Sequence, residues 1–171
     1  VNLQSDDFEL FGLKRRFLQD RSEIDANWKM LQRQAHPDRF AAQPGAAQRL
    51  SMQWSVRINE AYQRLKDPLR RAAYLCELNG VPVDAHTNTA MPQEFLLQQM
   101  QWRETLEEAN GPTDLLELQS LVDAAEQALM AQCADSLDRK NDAVAAAQQV
   151  RSIMFIQKFA RDLRREFEKF E

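Results

Sequence analysis

Residues 21–45 read RSEIDANWKMLQRQAHPDRFAAQPG, and the fold turns on them. Ile24, Trp28, Leu31 and Ala35 lie within about 40° of one another on a helix of 100° per residue, which makes one apolar stripe. Lys29 and Arg33 fall on the opposite face, one turn apart. The helix begins near Asp20 or Ser22. It cannot pass His36, because the residue before Pro37 avoids the α region. A loop from His36 to about Gly45 follows, punctuated by Pro44-Gly45.

Working outward, residues 46–66 form a longer helix with Leu50, Trp54, Ile58, Ala61 and Leu65 as its expected stripe. Asp67-Pro68 breaks it, and Leu69 to Leu78 is a short further helix. Upstream, Asp6 to Phe11 is a single turn closed by Gly12. Asn79-Gly80-Val81-Pro82 marks a change of composition, and residues 81–92, with His86, read as a linker. Three amphipathic helices are expected beyond it: Gln93 to Ala109; Thr113 to Cys133, with Thr113 as N-cap; and a third from near Asp138 to Phe170. Their short connections favour an antiparallel bundle.

The chain has 171 residues, 44% hydrophobic and 28% charged, with only four glycines, so a packed helical core is expected and a disordered or collagenous chain is excluded. No apolar run reaches the roughly 20 residues of a membrane span. Val1-Asn2-Leu3-Gln4 does not open a signal peptide, so none is expected unless already removed. Cys76 and Cys133 form no CxxC pair, which points away from a disulfide framework or cysteine zinc site and fits a reducing cytosol. The net charge of −4 is unevenly spread. Residues 1–80 hold 13 Lys/Arg against 10 Asp/Glu, whereas residues 81–171 hold 9 against 16. That asymmetry implies two halves with different partners, and the acidic half opposes nucleic acid.

The tripeptide His36-Pro37-Asp38, set between a basic helix and a longer helix carrying Ile58-Asn59-Glu60-Ala61-Tyr62 and Leu65-Lys66-Asp67-Pro68, resembles the J-domain over residues 6–78. Taken alone, a His-Pro-Asp is a loop whose Asp bonds nearby backbone, and two cations on a helix are a solvated face. The resemblance implies a DnaK-type chaperone as partner, whose ATP hydrolysis is accelerated. It assigns the contact to His36, Pro37, Asp38, Lys29, Arg33 and Arg39. Physically, Asp38 can accept charge-assisted bonds, and Lys29 and Arg33 can raise the rate of encounter with an acidic face. Catalysis is not expected. His36 and Asp38 have no nucleophile or phosphate-binding glycine loop beside them, and the two histidines and two cysteines lack metal-ligand spacing.

The first bundle helix has an odd face. With Phe95 at 0°, Trp102, Leu106 and Ala109 complete a core stripe within about 40°. Leu96, Met100 and Leu97 lie off it, at about 100°, 140° and 200°, among Gln101, Glu104 and Glu108. Phe155 is similarly displaced from the third helix's stripe of Ile156, Phe159, Ala160, Leu163 and Phe167. Such an apolar patch rimmed by acids marks either a partner site or a bundle margin.

A J-like half, a short linker and an acidic three-helix bundle together resemble the HscB (Jac-type) family, the J-type co-chaperones of iron–sulfur cluster assembly. This resemblance implies an all-α, L-shaped chain, with a J-domain helical hairpin over residues 1–80, a linker over 81–92 and a scaffold-binding three-helix bundle over 93–171. It implies the specialised chaperone HscA and the scaffold protein IscU as partners, no resident cofactor, and a bacterial, cytoplasmic setting. It assigns the scaffold contact to Leu96, Leu97, Met100, Gln101, Glu104, Glu108 and Phe155, with Gln101 standing where relatives carry an acid. A general J-protein delivering unfolded clients and a J-like structural adaptor are the competing readings.

Overall fold

The computed structural model describes residues 1–85 and 87–171, so His86 of the expected linker lies outside it. The described residues form seven α-helices and divide into two compact units, Val1–Leu75 and Cys76–Glu171.

In the first unit, α1 (Asp7–Phe11) is capped by the Asp6 carboxylate, which accepts from the Glu9 N–H, and is closed by Gly12 at φ 65°. A side chain at that left-handed position would be strained, which is why a glycine ends the turn. α2 (Arg21–Ala35) starts with Asp20 accepting from the Ser22 N–H. α3 (Gly45–Lys66) runs back along α2, and a 3₁₀ turn over Pro37–Phe40 fills much of the expected loop between them. Pro68 opens α4 (Pro68–Leu78), where Asp67 Oδ1 accepts from the Leu69 N–H at 3.0 Å. Phe8, Phe11, Phe17, Ile24, Ile58, Ala61 and Leu65 make the core.

A carboxylate lies inside this unit. Asp7 is fully buried, and Arg57 and Arg64 hold its carboxylate at 2.8 Å and 2.6 Å. Tyr74 Oη accepts from the Asp7 N–H at 3.1 Å. Burying an unpaired carboxylate is costly, so two guanidiniums converge on it.

The expected α3 stripe is only partly internal. Ile58, Ala61 and Leu65 are buried, but Leu50 is 48% exposed. The cause is a length mismatch: at 1.5 Å per residue, the 22 residues of α3 outrun the 15 of α2 by about 10 Å. Leu50 therefore sits on the rim of an apolar groove of about 540 Å³, which Leu31, Ala35, Phe40 and Trp54 also line.

The second unit contains α5 (Gln93–Glu108), α6 (Pro112–Asp138) and α7 (Ala143–Glu168). α6 continues five residues past its expected end, so α7 starts later than expected. Asp142 sets that start by accepting from the Ala145 N–H at 3.0 Å. Thr113 is not the N-cap of α6: Pro112 occupies the first helical position, where a missing N–H is harmless, and moves the cap back to Gly111. Trp102 and Leu106 from α5, Leu115, Leu118 and Val122 from α6, and Ile156, Phe159 and Leu163 from α7 form the core. Before α5, Val83 is buried and its carbonyl accepts from Arg151 Nη1 at 2.9 Å.

Candidate functional site

Two sites were expected, one in each unit. The first is the His36-Pro37-Asp38 turn. Pro37 stops α2 and carries no N–H, so the last carbonyls of α2 need partners from elsewhere. α3 supplies them. Ser51, which is buried, donates its hydroxyl to the Ala35 carbonyl, and Ser55 Oγ donates to the same oxygen at 3.3 Å. On the far side of the turn, Gln48 Nε2 donates to the Ala41 carbonyl at 3.2 Å. Three α3 side chains therefore hold both ends of the turn, and periodicity gave no sign of them.

Inside the turn, His36 Nδ1 accepts from the Asp38 N–H at 3.2 Å. The imidazole thereby braces the backbone of the turn from within. The side chains of His36 and Asp38 are 56% and 92% exposed. Among the described residues, the Asp38 carboxylate has only the 3.5 Å approach to the imidazole, so it is available to a partner. Arg39 folds back along the helix, its Nη1 donating to the Arg33 carbonyl at 3.4 Å, and thereby joins the turn to the basic face.

Lys29 and Arg33 are exposed as expected, but they do not stand on a bare helix face. With Trp28, Gln32 and Asn59 they line a surface groove of about 640 Å³. Trp28, expected in the core, is only half-buried. Its ring lies flat on Tyr62, with centroids 4.5 Å apart and planes 13° off parallel. Tyr62 in turn donates to Asp25 at 2.8 Å and sits 5.0 Å beneath the Lys66 ammonium. The Arg21 bond holds the Asp25 carboxyl below its usual range, with Tyr62 second.

In the second unit, Leu96, Leu97, Met100 and Phe155 are all exposed, between 43% and 60%. Gln101, Glu104 and Glu108 are also exposed. Phe155 of α7 meets Phe95 of α5 edge to face at 6.4 Å, so the residue expected from the third helix is tied to the start of the first. Phe95 itself packs against the core. The patch is thus a surface feature of α5 and α7.

A DnaJ domain model matches residues 6–74, and a model described as the HSCB C-terminal oligomerisation domain matches residues 91–164. A co-chaperone protein HscB homolog from Azoarcus sp. (strain BH72) is 46% identical over 95% of this chain and 94% of its own length. The chain belongs to the HscB family of co-chaperones. An HscB homolog from Bordetella petrii is 45% identical over 92% of the chain and 94% of its own. Among solved structures, chaperone HscB from Vibrio cholerae superposes with a TM-score of 0.82 at 34% identity, covering 98% of this chain and 100% of its own. The human co-chaperone protein HscB superposes with a TM-score of 0.88 at 25% identity, covering 96% and 83%. The HscB architecture of a J-domain followed by a helical C-terminal domain is thereby shared.

Among the described residues, no three His, Cys, Asp or Glu side chains are grouped so as to hold a metal ion, and no helix is long and apolar enough to cross a membrane. Cys76 and Cys133 are free and buried. Burial pushes their thiols up to about 11 and about 12, so both are poor nucleophiles.

Proposed function

We propose that this chain is a bacterial, cytoplasmic adaptor that binds the scaffold protein IscU through its C-terminal bundle and delivers it to the DnaK-type chaperone HscA, accelerating ATP hydrolysis by HscA during iron–sulfur cluster maturation. The chain hydrolyses no ATP and holds no cluster itself. The residues of the J-like module, 1–80, that meet HscA are His36, Pro37, Asp38, Lys29, Arg33 and Arg39. Those of the bundle, 93–171, that meet IscU are Leu96, Leu97, Met100, Gln101, Glu104, Glu108 and Phe155.

The observation that carries this reading is the Asp38 carboxylate, 92% exposed at the tip of a turn whose two ends are held by Ser51, Ser55 and Gln48. An exposed carboxylate on a turn held at both ends, next to a basic helix, is suited to recognition, since a charge-assisted bond to a partner Arg needs no reorganisation of the turn. The second support is the apolar patch at Leu96, Leu97, Met100 and Phe155, which lies outside the bundle core. Carrying both sites on one chain raises the effective concentration of scaffold at chaperone.

Single-turnover ATP hydrolysis by HscA, measured with this chain in the presence and absence of IscU, tests the proposal. Stimulation that rises synergistically with IscU is expected. Equal stimulation without IscU favours a general J-protein, and no stimulation favours a structural adaptor.

A further inference from the structure

The groove beside the basic helix contains Asn59 of α3, whose side chain is oriented by two donors of α2. Trp28 Nε1 donates to Asn59 Oδ1 at 3.0 Å, and Gln32 Nε2 donates to the same oxygen at 2.7 Å. An indole N–H can only donate, so the atom facing it must be the amide oxygen, which settles which way the Asn59 amide points. Its Nδ2 is turned away from both donors, on an exposed residue, and makes no hydrogen bond among the described residues. Trp28 is itself held by its stack on Tyr62, and Gln32 by a further bond to the Ser55 carbonyl at 3.4 Å.

Lys29 and Arg33 line the same groove. With the Asn59 oxygen already taken, the groove offers an ammonium, a guanidinium and the Asn59 amide protons as donors, against a single neutral acceptor, Gln32 Oε1. Two cations beside an outward amide donor are complementary to a negatively charged acceptor.

We propose that Asn59 belongs to the chaperone-docking surface, its outward amide donating, with Lys29 and Arg33, to a carboxylate on the chaperone. Trp28 and Gln32 act as positioning residues that preorganise the amide. The inference rests on the docking role proposed for the J-like unit and extends the contact from α2 onto α3.

Asn59→Asp is the direct probe. It keeps the oxygen that Trp28 and Gln32 bind and replaces the outward donor by a charge that repels a carboxylate. Gln53→Glu, which adds a negative charge elsewhere on the exposed surface of α3, is the control. In HscA single-turnover assays, Asn59→Asp should raise the half-saturating concentration about tenfold, as loss of one charge-assisted bond would, while Gln53→Glu shifts it less than about twofold. Combining Asn59→Asp with Lys29→Ala should cost less than the product of the single effects, because both act on one carboxylate. Trp28→Phe, which keeps an aromatic face for Tyr62 but removes the N–H that fixes the amide, should weaken docking about threefold, and it carries the test if Asn59→Asp does not fold. Equal shifts for Asn59→Asp and Gln53→Glu, or strict additivity with Lys29→Ala, would overturn the role of Asn59 while leaving the docking reading intact. Absence of any wild-type effect on HscA would overturn both.

Discussion

Ser51, in the second turn of α3, donates a hydrogen bond to the carbonyl of Ala35, the last residue of α2. The bond crosses the hairpin at the point where Pro37 leaves α2 without a continuing ladder. It makes α3 responsible for the position of the recognition turn.

Ser51→Ala is accordingly expected to lower stability by about 1 kcal/mol, at the lower end for an orphaned buried acceptor because Ser55 still reaches the same oxygen. It should also weaken stimulation of HscA by loosening the turn. Urea unfolding paired with an ATPase titration checks this. A change in stability with wild-type stimulation would show that the turn holds its shape without α3.

The Asp7 carboxylate is a different case, a structural charge with no route to a partner. Removing it in Asp7→Ala leaves Arg57 and Arg64 facing each other beside an apolar core. A loss of about 3–5 kcal/mol is expected, read as a lowered transition in thermal or urea unfolding. A shift below about 1 kcal/mol would mean that the two arginines find other acceptors, of which the Leu3 and Ser5 carbonyls already serve Arg57.

Much of this was legible in the sequence, and the gaps have physical causes. Pro37, Gly80 and Pro112 punctuate the chain through backbone chemistry that local sequence displays, so those helix boundaries are legible, whereas the α6–α7 connection, with no such residue, lies five residues later than expected. Periodicity assigns a residue to a face but does not name its neighbour. Leu50 therefore read as core although α2 is too short to cover it, and Trp28 read as core although it lies on the hairpin shoulder against Tyr62. The Asp7, Arg57 and Arg64 cluster joins residues some fifty positions apart. No local pattern announces it, nor does any announce the pairing of Ser51 with Ala35. The apolar patch was visible because Leu96, Leu97 and Met100 break the stripe of their own helix.

Truncating that patch separates binding from stability. Leu97, Met100 and Phe155 are exposed, so the triple change to Ala should leave the melting temperature near that of wild type. Each side chain buried against IscU would contribute on the order of 1–3 kcal/mol, and the triple variant should lose affinity by about a hundredfold or more. Titration calorimetry with IscU, beside a melting curve, checks it. A large fall in melting temperature would place these side chains in the core instead.

The cysteines give a pH dependence with a definite sign. Burial raises Cys76 to about 11 and Cys133 to about 12, above the ordinary value of 9 that holds in the unfolded chain. Their contribution to stability is therefore complete below pH 9 and is lost as pH rises from 9 through 11–12. At pH 8, native protein should react with a thiol-alkylating reagent only as fast as it opens, and urea-unfolded protein should label at both positions at once. Rapid labelling of the folded chain would contradict the burial of these thiols.

The central claim is that one chain carries two separable recognition sites, and Asp38→Asn tests it most directly. The change removes the charge at the tip of the turn and keeps its shape, far in sequence from the bundle patch. With this variant, IscU should bind with wild-type affinity in a titration, while single-turnover ATP hydrolysis by HscA should stay at its basal rate, with or without IscU. Wild-type stimulation by Asp38→Asn, or loss of IscU binding in a variant that melts normally, would contradict the account.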